Sequence, residues 1–230
     1  MCAKGSVDLE KTRVLNRDYK RTGDKEINSG REPVQLGWYE FAAGFCKGKN
    51  VLDVGCGMAE GLRILEKTAR SAKGIDLDDR LEKTNVKKMD ISEMPSKSVE
   101  ILTCIDVIEH VEEDRNFVAE CVRVASEEIL ISTPNYAISR CRWPYHVREY
   151  MPHQLVGLLR AYGKVEMFKG SLDGYTRYYI RFIRAYSIWS ILRIHPVTGF
   201  MVRVVNHMLP VALRLQSSLF ARIQLNGEGL

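Results

Sequence analysis

The sequence lacks paired cysteines, long apolar runs and a recognisable leader. Its six cysteines stand apart, without a CxxC pair or finger-like spacing, so we expect reduced thiols rather than a zinc finger or a disulfide framework. No run approaches the roughly 20 apolar residues of a membrane-spanning helix, and the first residues have no apolar signal core. Together with 45% hydrophobic and 27% charged residues, these absences predict a cytoplasmic globular protein.

Acidic residues are almost missing from the C-terminal quarter of the chain. Residues 175–230 contain seven arginines and one acid, Glu228, which sums to +6. Because the whole chain carries +5, the first 174 residues sum to −1. The basic character therefore belongs to the C-terminal segment. We predict a basic, amphipathic helical appendage over residues 185–230, broken by Pro196 and Pro210.

Short runs of Val, Ile and Leu alternate with helical segments from residue 51 onward. Runs that are apolar throughout are typical of strands buried on both faces of a parallel sheet. We therefore expect an α/β fold over residues 36–184, preceded by an arm or lid at residues 1–35. The predicted strands are 51–55, 72–76, 86–89, 99–105, 128–133, 165–168 and a seventh near 177–183.

The first strand runs into a glycine-rich turn and then a helix. Gly55 and Gly57 permit backbone torsions and a close ligand approach that a Cβ atom would prevent. The third glycine stands at position 61, one residue later than the G-x-G-x-x-G spacing of dinucleotide-binding folds requires. By itself the turn indicates a tight connection from strand to helix, with room for a nucleotide.

Two acidic residues follow the next two predicted strands. Asp76 lies 19 residues after Gly57, where its carboxylate can accept hydrogen bonds from both hydroxyls of a ribose. Asp90 follows the third strand, where it can accept from an adenine amino group. Nothing nearby is typical of a pyrophosphate cradle, so the pattern favours an adenosine-containing cofactor without phosphates.

These segments together carry a family resemblance. Val-Leu-Asp-Val-Gly-Cys-Gly, Gly-Ile-Asp, Met-Asp-Ile and Asp-Val-Ile-Glu-His-Val, in this order, resemble the class I S-adenosylmethionine-dependent methyltransferases of small molecules. The resemblance covers residues 36–168. It implies a Rossmann-like, mostly parallel seven-stranded sheet with helices on both faces, and S-adenosyl-L-methionine as cofactor. The cofactor-binding residues that it implies are Asp53, Gly55, Cys56, Gly57, Asp76, Leu77, Asp90, Ile91 and Ile105.

A second group of residues bears on the chemistry. Methyl transfer to a hydroxyl requires an acceptor held in line with the sulfonium, and a group that removes the hydroxyl proton. Asp106, Glu109 and His110 follow the fourth strand, and His146 lies in the loop after the fifth. Open α/β sheets bind their ligands at these strand ends.

The same group is similar to the metal-assisted O-methyltransferases of ubiquinone biosynthesis, which have Glu where this chain has Asp106. That similarity implies a divalent ion, Mg²⁺ or Zn²⁺, held by Asp106, Glu109, His110 and His146. Without a metal, His110 or His146 is the predicted general base. A third interpretation is that Glu109 and His110 only form hydrogen bonds with the cofactor loop and the backbone.

The methyl acceptor and the binding partners are predicted from a short sequence resemblance and from composition. Residues 37–49 also resemble methyltransferases of cell-surface glycan biosynthesis, so the leading prediction is O-methylation of a sugar or lipid-linked small molecule. A ubiquinone-like phenol methyltransferase and a non-catalytic, cofactor-binding membrane adaptor are the alternatives. Arginines interleaved with Trp, Phe and Leu in the C-terminal segment favour an anionic membrane surface, with a homodimer interface or a substrate lid as alternatives. No RNA-binding module is recognisable, so nucleic acid is not an expected partner.

Overall fold

The structure, a computed structural model, describes residues 32–78, 81, 85–170 and 177–226. Within these ranges eight strands form one sheet. The strands are β1 (Asn50–Val54), β2 (Ser71–Asp76), β3 (Val86–Lys88), β4 (Val99–Ile105), β5 (Ala125–Pro134), β6 (Gly163–Gly170), β7 (Arg177–Tyr179) and β8 (Ser218–Leu225). Their order across the sheet is β3-β2-β1-β4-β5-β8-β6-β7.

Helices connect the strands and cover both faces of the sheet. They are α1 (Pro33–Ala43), α2 (Glu60–Leu65), α3 (Asp114–Val124), α4 (Tyr136–Ser139), α5 (Pro152–Leu159), α6 (Ile183–Ile194) and α7 (Gly199–Met208). Single 3₁₀ turns occur at Ile91–Glu93, Ile108–His110 and Val211–Leu213. None of the helices in the described ranges has the length and apolarity needed to cross a bilayer.

The sheet is mostly parallel, as the sequence predicts. Strands β1 to β5 pair in parallel, while β8 runs antiparallel between β5 and β6. The short strand β7 pairs antiparallel with the outer side of β6. This edge strand overlaps the predicted seventh strand near 177–183, but the strand that lies beside β5 is β8. The sheet therefore has eight strands within the described ranges, where the sequence predicts seven.

The apolar strands supply two cores, one on each face of the sheet. Successive residues of a strand point to opposite faces, so Leu52 joins one cluster and Val51 joins the other. The Leu52 cluster includes Val118 of α3 and Leu155 of α5, and the Val51 cluster includes α1 and α2 residues such as Leu62. Full burial of one such side chain contributes about 1.5–3 kcal/mol. Burial on both faces explains why these strands are apolar throughout.

The prediction that residues 185–230 form a helical appendage is wrong for β8. Trp38 of α1 donates a hydrogen bond from Nε1 to Ser218 Oγ at 3.0 Å, and its ring stacks on Phe220 with centroids 4.9 Å apart. Arg222 bonds to Glu128 on β5 and to Glu166 on β6, which neutralise its charge. The pairing partners come from distant segments, so an isolated basic stretch could not reveal this central strand.

Two further predictions from the sequence concern the arm at residues 1–35 and the state of the cysteines. The arm or lid assigned to residues 1–35 falls almost entirely outside the described residues and stays a prediction. The prediction of free thiols agrees with the structure for four buried cysteines. The four free cysteines are Cys46, Cys56, Cys104 and Cys121.

Candidate active site

The turn between β1 and α2 is built on glycines with left-handed backbone conformations. Gly55 has φ +68° and Gly57 has φ +54°, a region that residues with a Cβ atom enter at a cost. A Cβ on Gly55 would also lie 2.6 Å from Cγ2 of Val107, in the segment after β4. The amide of Gly55 donates to the carbonyl of Ile75 on β2 at 2.9 Å. The turn is therefore fixed against the ends of β2 and β4.

Asp76, at the end of β2, faces this glycine turn. Its Oδ2 accepts a hydrogen bond from the amide of Gly57 at 3.0 Å, and its Oδ1 accepts from the amide of Asp78 at 3.1 Å. The next residue, Leu77, exposes 54% of its surface. The structure thus brings the turn together with Asp76, which the sequence predicts to hold a ribose, and with Leu77, which it predicts to bind the cofactor.

Asp90 follows β3 and caps the 3₁₀ turn that begins at Ile91. Its Oδ1 accepts hydrogen bonds from the amide and the hydroxyl of Ser92, at 2.9 and 2.6 Å. Asp90 is exposed, whereas only 7% of Ile91 is exposed. The carboxylate therefore stands at the same carboxyl-terminal edge of the sheet as Asp76, held in a defined orientation.

Three of the predicted cofactor residues have no exposed surface: Asp53, Cys56 and Ile105. The carboxylate of Asp53 accepts a hydrogen bond from the hydroxyl of Tyr39 at 2.9 Å and one from Thr103 Oγ1 at 2.6 Å. Asp53 is thus hydrogen-bonded to both α1 and β4, just before the glycine turn begins. Any part that these residues take in binding is exerted through the backbone or through neighbouring groups.

Tyr39 and Thr103 are supporting residues that the sequence did not single out. A Cβ on Gly61 would lie 2.2 Å from the ring of Tyr39, so the glycine in α2 makes room for that ring. A Cβ on Gly74 would similarly lie 2.5 Å from Sγ of Cys56. A glycine is therefore needed at position 61 because α1 packs closely on α2 there. The sequence alone does not reveal that Tyr39 is the residue that packs against Gly61.

Two loops bring Glu109, His110 and His146 together. The 3₁₀ turn after β4 carries Glu109 and His110, and the backbone carbonyl of Glu109 accepts hydrogen bonds from the amides of Val147 and Arg148, at 2.8 and 3.1 Å. The rings of His110 and His146 lie with centroids 4.9 Å apart at an interplanar angle of 77°. One potential ligand atom from each of Glu109, His110 and His146 lies within 4.8 Å of the other two.

Asp106 lies outside this group of three, so the structure brings together three of the four residues that the sequence predicts as metal ligands. The backbone of Asp106 has φ +53°, and its Oδ1 accepts a hydrogen bond from Ser132 Oγ on β5 at 2.5 Å. One oxygen of the side chain is thereby bonded to the end of β5. The three remaining residues form the candidate metal site.

Glu109 is a buried carboxyl group whose hydrogen-bonding capacity is unused. It has no exposed surface, and neither side-chain oxygen has a hydrogen-bond partner among the described residues. Burial raises the pKa of Glu109 well above its usual range, and the nearby Asp106 carboxylate adds to this shift. The hydroxyl of Thr133 lies near Glu109 and acts to lower its pKa. No group among the described residues has the geometry of a hydrogen bond to that hydroxyl oxygen. A buried acid in this condition is typical of a functional site.

His146 is oriented by a second buried carboxylate, Glu149. Nδ1 of His146 lies 2.7 Å from Oε1 of Glu149, and Oε2 of Glu149 accepts from the hydroxyl of Ser139 and from the amide of Cys141. Burial acts to raise the pKa of Glu149, but the bonds from His146, Ser139 and Cys141 outweigh it and lower that pKa. An ionised Glu149 favours a proton on Nδ1 of His146, so Nε2 is the nitrogen with a lone pair.

Several known proteins are similar to this chain in sequence. Residues 52–128 match the family model described as "Methyltransferase domain". A probable S-adenosylmethionine-dependent methyltransferase of Mycolicibacterium smegmatis is 32% identical over 154 residues, 59% of this chain and 60% of that protein. A ubiquinone biosynthesis O-methyltransferase of Bordetella parapertussis is 28% identical over 109 residues, 40% of this chain and 45% of that protein. The chain thus spans less than two thirds of the length of these relatives.

Solved structures resemble this one over nearly the whole chain. A SAM-dependent methyltransferase from Archaeoglobus fulgidus has a TM-score of 0.60 at 19% identity, and the match covers 90% of this chain and 99% of that one. The 1,6-didemethyltoxoflavin-N1-methyltransferase of Burkholderia thailandensis has a TM-score of 0.62 at 13% identity, covering 97% and 92%. At these identities the likeness establishes the fold. In residues 52–128, the chain is similar to proteins with a methyltransferase domain, and it has the fold of these solved structures.

Proposed function

We propose that this chain transfers the methyl group of S-adenosylmethionine to a hydroxyl group of a sugar or lipid-linked small molecule. One observation carries the proposal. The glycine turn packs against Val107, and two residues later the chain reaches Glu109 and His110, beside His146. A donor held at the turn would therefore lie next to groups that can accept a hydroxyl proton.

The donor side of the site supplies binding and orientation. The exposed carboxylate of Asp90 is suited to the adenine amino group and Asp76 to the ribose hydroxyls, with Leu77 beside them. Gly55 and Gly57 leave space for the methionine part to approach the backbone. Holding the sulfonium in line with an acceptor oxygen accelerates such a displacement, because the two reactants are already positioned when the reaction begins.

On the acceptor side, His146 is suited to act as the general base. As the acceptor oxygen forms its bond to the methyl carbon, the carbon–sulfur bond breaks and sulfur leaves as a neutral thioether. The hydroxyl proton passes to Nε2 of His146, and Glu149 stabilises the positive charge that develops on the ring. Proton transfer of this kind contributes about 10²–10⁴-fold in rate.

The residues also fit a divalent metal ion. Two imidazoles and a carboxylate are donors typical of zinc, and a cation would provide the partner that the buried oxygens of Glu109 lack. Glu109, His110 and His146 would hold it. Such an ion supplies Lewis-acid activation of a hydroxyl group. In that state the ring of His146 would serve as ligand, and His110 or His146 acts as base only in the metal-free enzyme.

A phenolic acceptor is the second candidate. The grouping of Glu109 with the two histidines favours it, since the sequence around these residues resembles ubiquinone-type O-methyltransferases, and one such relative matches over 109 residues. The loss of Asp106 from the ligand group weighs against it. The two candidates share the donor site and the site of proton removal, and differ in the acceptor.

Methyl transfer from labelled S-adenosylmethionine to two panels of acceptors tests the proposal. One panel holds free and lipid-linked glycans and the other holds phenolic quinone precursors. We expect label on a glycan hydroxyl. Label on phenols alone would favour the second candidate. Label only on nitrogen or carbon acceptors would contradict hydroxyl transfer, and tight S-adenosylhomocysteine binding without transfer to any acceptor would favour the non-catalytic adaptor.

A further inference from the structure

Helix α6 exposes two isoleucines, although two of its serines are buried. Ser187 and Ser190 are 5% and 0% exposed, whereas Ile188 and Ile191 are 58% and 43% exposed. Within the described residues the hydroxyl of Ser187 has no hydrogen-bond partner. A helix on the surface of a globular protein normally buries its apolar stripe. The outward isoleucines of α6 therefore indicate a surface that meets something other than water.

Helix α7 continues the same surface. It packs against α6, and its exposed side chains recur at intervals of four residues, which places them along one face. The exposed fraction is largest for Met208 at 78% and Phe200 at 63%. The term α6–α7 surface denotes the exposed apolar residues of these two helices, which are Ile188, Ile191, Phe200, Met201, Val204, Val205 and Met208. Exposed apolar side chains in this number on two packed helices are typical of an interaction site.

The chain segment that carries the α6–α7 surface has charged side chains of one sign. No Asp or Glu occurs between residues 177 and 226. Arg193, whose pKa is lowered by burial, is lowered further by the charges of Arg203, Arg140 and Arg142, which therefore lie near it. The ion pairs of the described ranges include none of these four arginines. A partner that covers this surface must accordingly provide negative charge as well as apolar contact.

The loop at residues 140–145 links this positive surface to the candidate active site. Trp143 and Tyr145 are 47% and 38% exposed, with ring centroids 5.7 Å apart. The backbone carbonyl of Tyr145 lies 3.1 Å from Nδ1 of His110. Exposed Trp and Tyr beside Arg are typical of a protein surface at the headgroup level of a bilayer.

We propose that the α6–α7 surface, together with Arg140, Arg142 and Trp143, docks on an anionic lipid membrane. A second copy of the chain is disfavoured as occupant, because a two-fold interface would place the same positive surface against itself. A bilayer supplies both an apolar interior and a negative headgroup layer. The proposal rests on the proposed function for one consequence: the loop before His146 would then face the lipid, where a lipid-linked acceptor is found.

Vesicle flotation of the full chain tests the docking surface. Vesicles of phosphatidylcholine alone are compared with vesicles that also contain phosphatidylglycerol. We expect binding to the mixed vesicles and weak binding to the neutral ones. The double variant Phe200→Ser/Met208→Ser should weaken binding about tenfold or more, since each apolar group lost from the bilayer reduces the partition constant several-fold. Phe200→Leu/Met208→Leu, which keeps the apolar surface, should retain binding.

A charge series gives an independent measurement. Arg203→Glu should weaken binding to the mixed vesicles about tenfold, because each basic residue near an anionic surface strengthens attachment several-fold. The matched reversal is Lys67→Glu, in the loop after α2 at the opposite, amino-terminal edge of the sheet. It should leave binding unchanged. All variants should keep the melting temperature of the wild type within a few degrees, since the changed side chains are exposed.

Several outcomes would overturn the proposal. These are no attachment of the wild type to the mixed vesicles, attachment that neither series alters, and a dimer by light scattering that Phe200→Ser/Met208→Ser dissociates. Calorimetry with S-adenosylhomocysteine on the same variants separates this proposal from the proposed function. Retained binding of S-adenosylhomocysteine with no vesicle attachment contradicts docking alone.

Discussion

Nδ1 of His146 lies 2.7 Å from Oε1 of Glu149, a carboxylate that is only 3% exposed. This contact fixes one ring nitrogen of a histidine that stands 4.9 Å, between ring centroids, from His110. The amides of Val147 and Arg148 donate to the carbonyl of Glu109, which joins the loop after β5 to the turn after β4, next to the glycine turn. The expected effects of changing these groups follow from their hydrogen bonds.

Replacement of His146 should affect catalysis more than donor binding. His146→Gln removes the proposed base, and we expect methyl transfer to fall about a hundredfold or more while the affinity for S-adenosylhomocysteine stays within about twofold. Steady-state kinetics and calorimetry check the two parts. His153→Gln, an exposed histidine at the start of α5, is the matched control and should behave as the wild type. Equal activity of the two variants would contradict the role of His146.

Replacement of Glu109 should weaken metal binding without unfolding the protein. Burial favours the protonated form of Glu109, so the neutral Glu109→Gln should change the free energy of unfolding by about 1 kcal/mol or less. Its affinity for Zn²⁺, measured by calorimetry on metal-stripped protein, should fall about tenfold to a hundredfold. Unchanged Zn²⁺ affinity in this variant, or full activity of the wild type after chelation, would exclude the metal site.

A methyl group at Gly55 should destabilise the glycine turn. Gly55→Ala places a Cβ 2.6 Å from Val107 Cγ2 in a backbone with φ +68°, so we expect a loss of about 1–3 kcal/mol in the free energy of unfolding. Gly157→Ala in α5 meets nothing within 4 Å and should stabilise by about 0.5–1 kcal/mol. Denaturant unfolding of both variants measures the contrast. Equal effects would show that the turn carries no such constraint.

Lys169 should make stability depend on pH at alkaline values. Its Nζ donates to the carbonyl of Arg214 at 2.7 Å and lies 4.6 Å from the ring centroid of Tyr186, and burial lowers its pKa to about 8. Between about pH 8 and 10.5 the unfolded chain holds more protons at this residue than the folded one. The free energy of unfolding should therefore rise with pH over this range, by up to about 3 kcal/mol.

The matched variant for that measurement is Lys169→Met, which keeps the length of the side chain and removes its charge. We expect it to lack the rise, and to exceed the wild type in stability most clearly below pH 8. Denaturant midpoints from pH 7 to 10.5 provide the comparison. Parallel pH profiles for the two proteins would contradict a buried, partly neutral lysine.

The fold was predictable wherever a strand is apolar on both faces. The predicted strand at 99–105 has the observed bounds of β4, because every residue from Ile101 onward is buried. Strand β8 was missed because Arg222 looks like a solvated charge until Glu128 and Glu166 of neighbouring strands are placed beside it. Pairing across distant segments leaves no local signal in a single sequence.

The candidate site was predictable in its residue types and less so in its contacts. The sequence identified Glu109, His110 and His146, which the fold brings together. It also placed Asp106 among them, whereas the turn at φ +53° directs that residue to Ser132. A spacing along the chain fixes which residues are near each other on the backbone, but the backbone torsion of a single residue decides where its side chain lies.

Calorimetric titration with S-adenosylhomocysteine tests the central claim, that the glycine turn and Asp76 hold the methyl donor. The wild type should bind with one site per chain, and Asp76→Asn, which weakens the contact to the amide of Gly57, should bind about tenfold or more weakly. Glu127→Gln, at the opposite edge of the sheet, should bind as the wild type does. Absence of binding by the wild type, or equal binding by Asp76→Asn, would contradict the account.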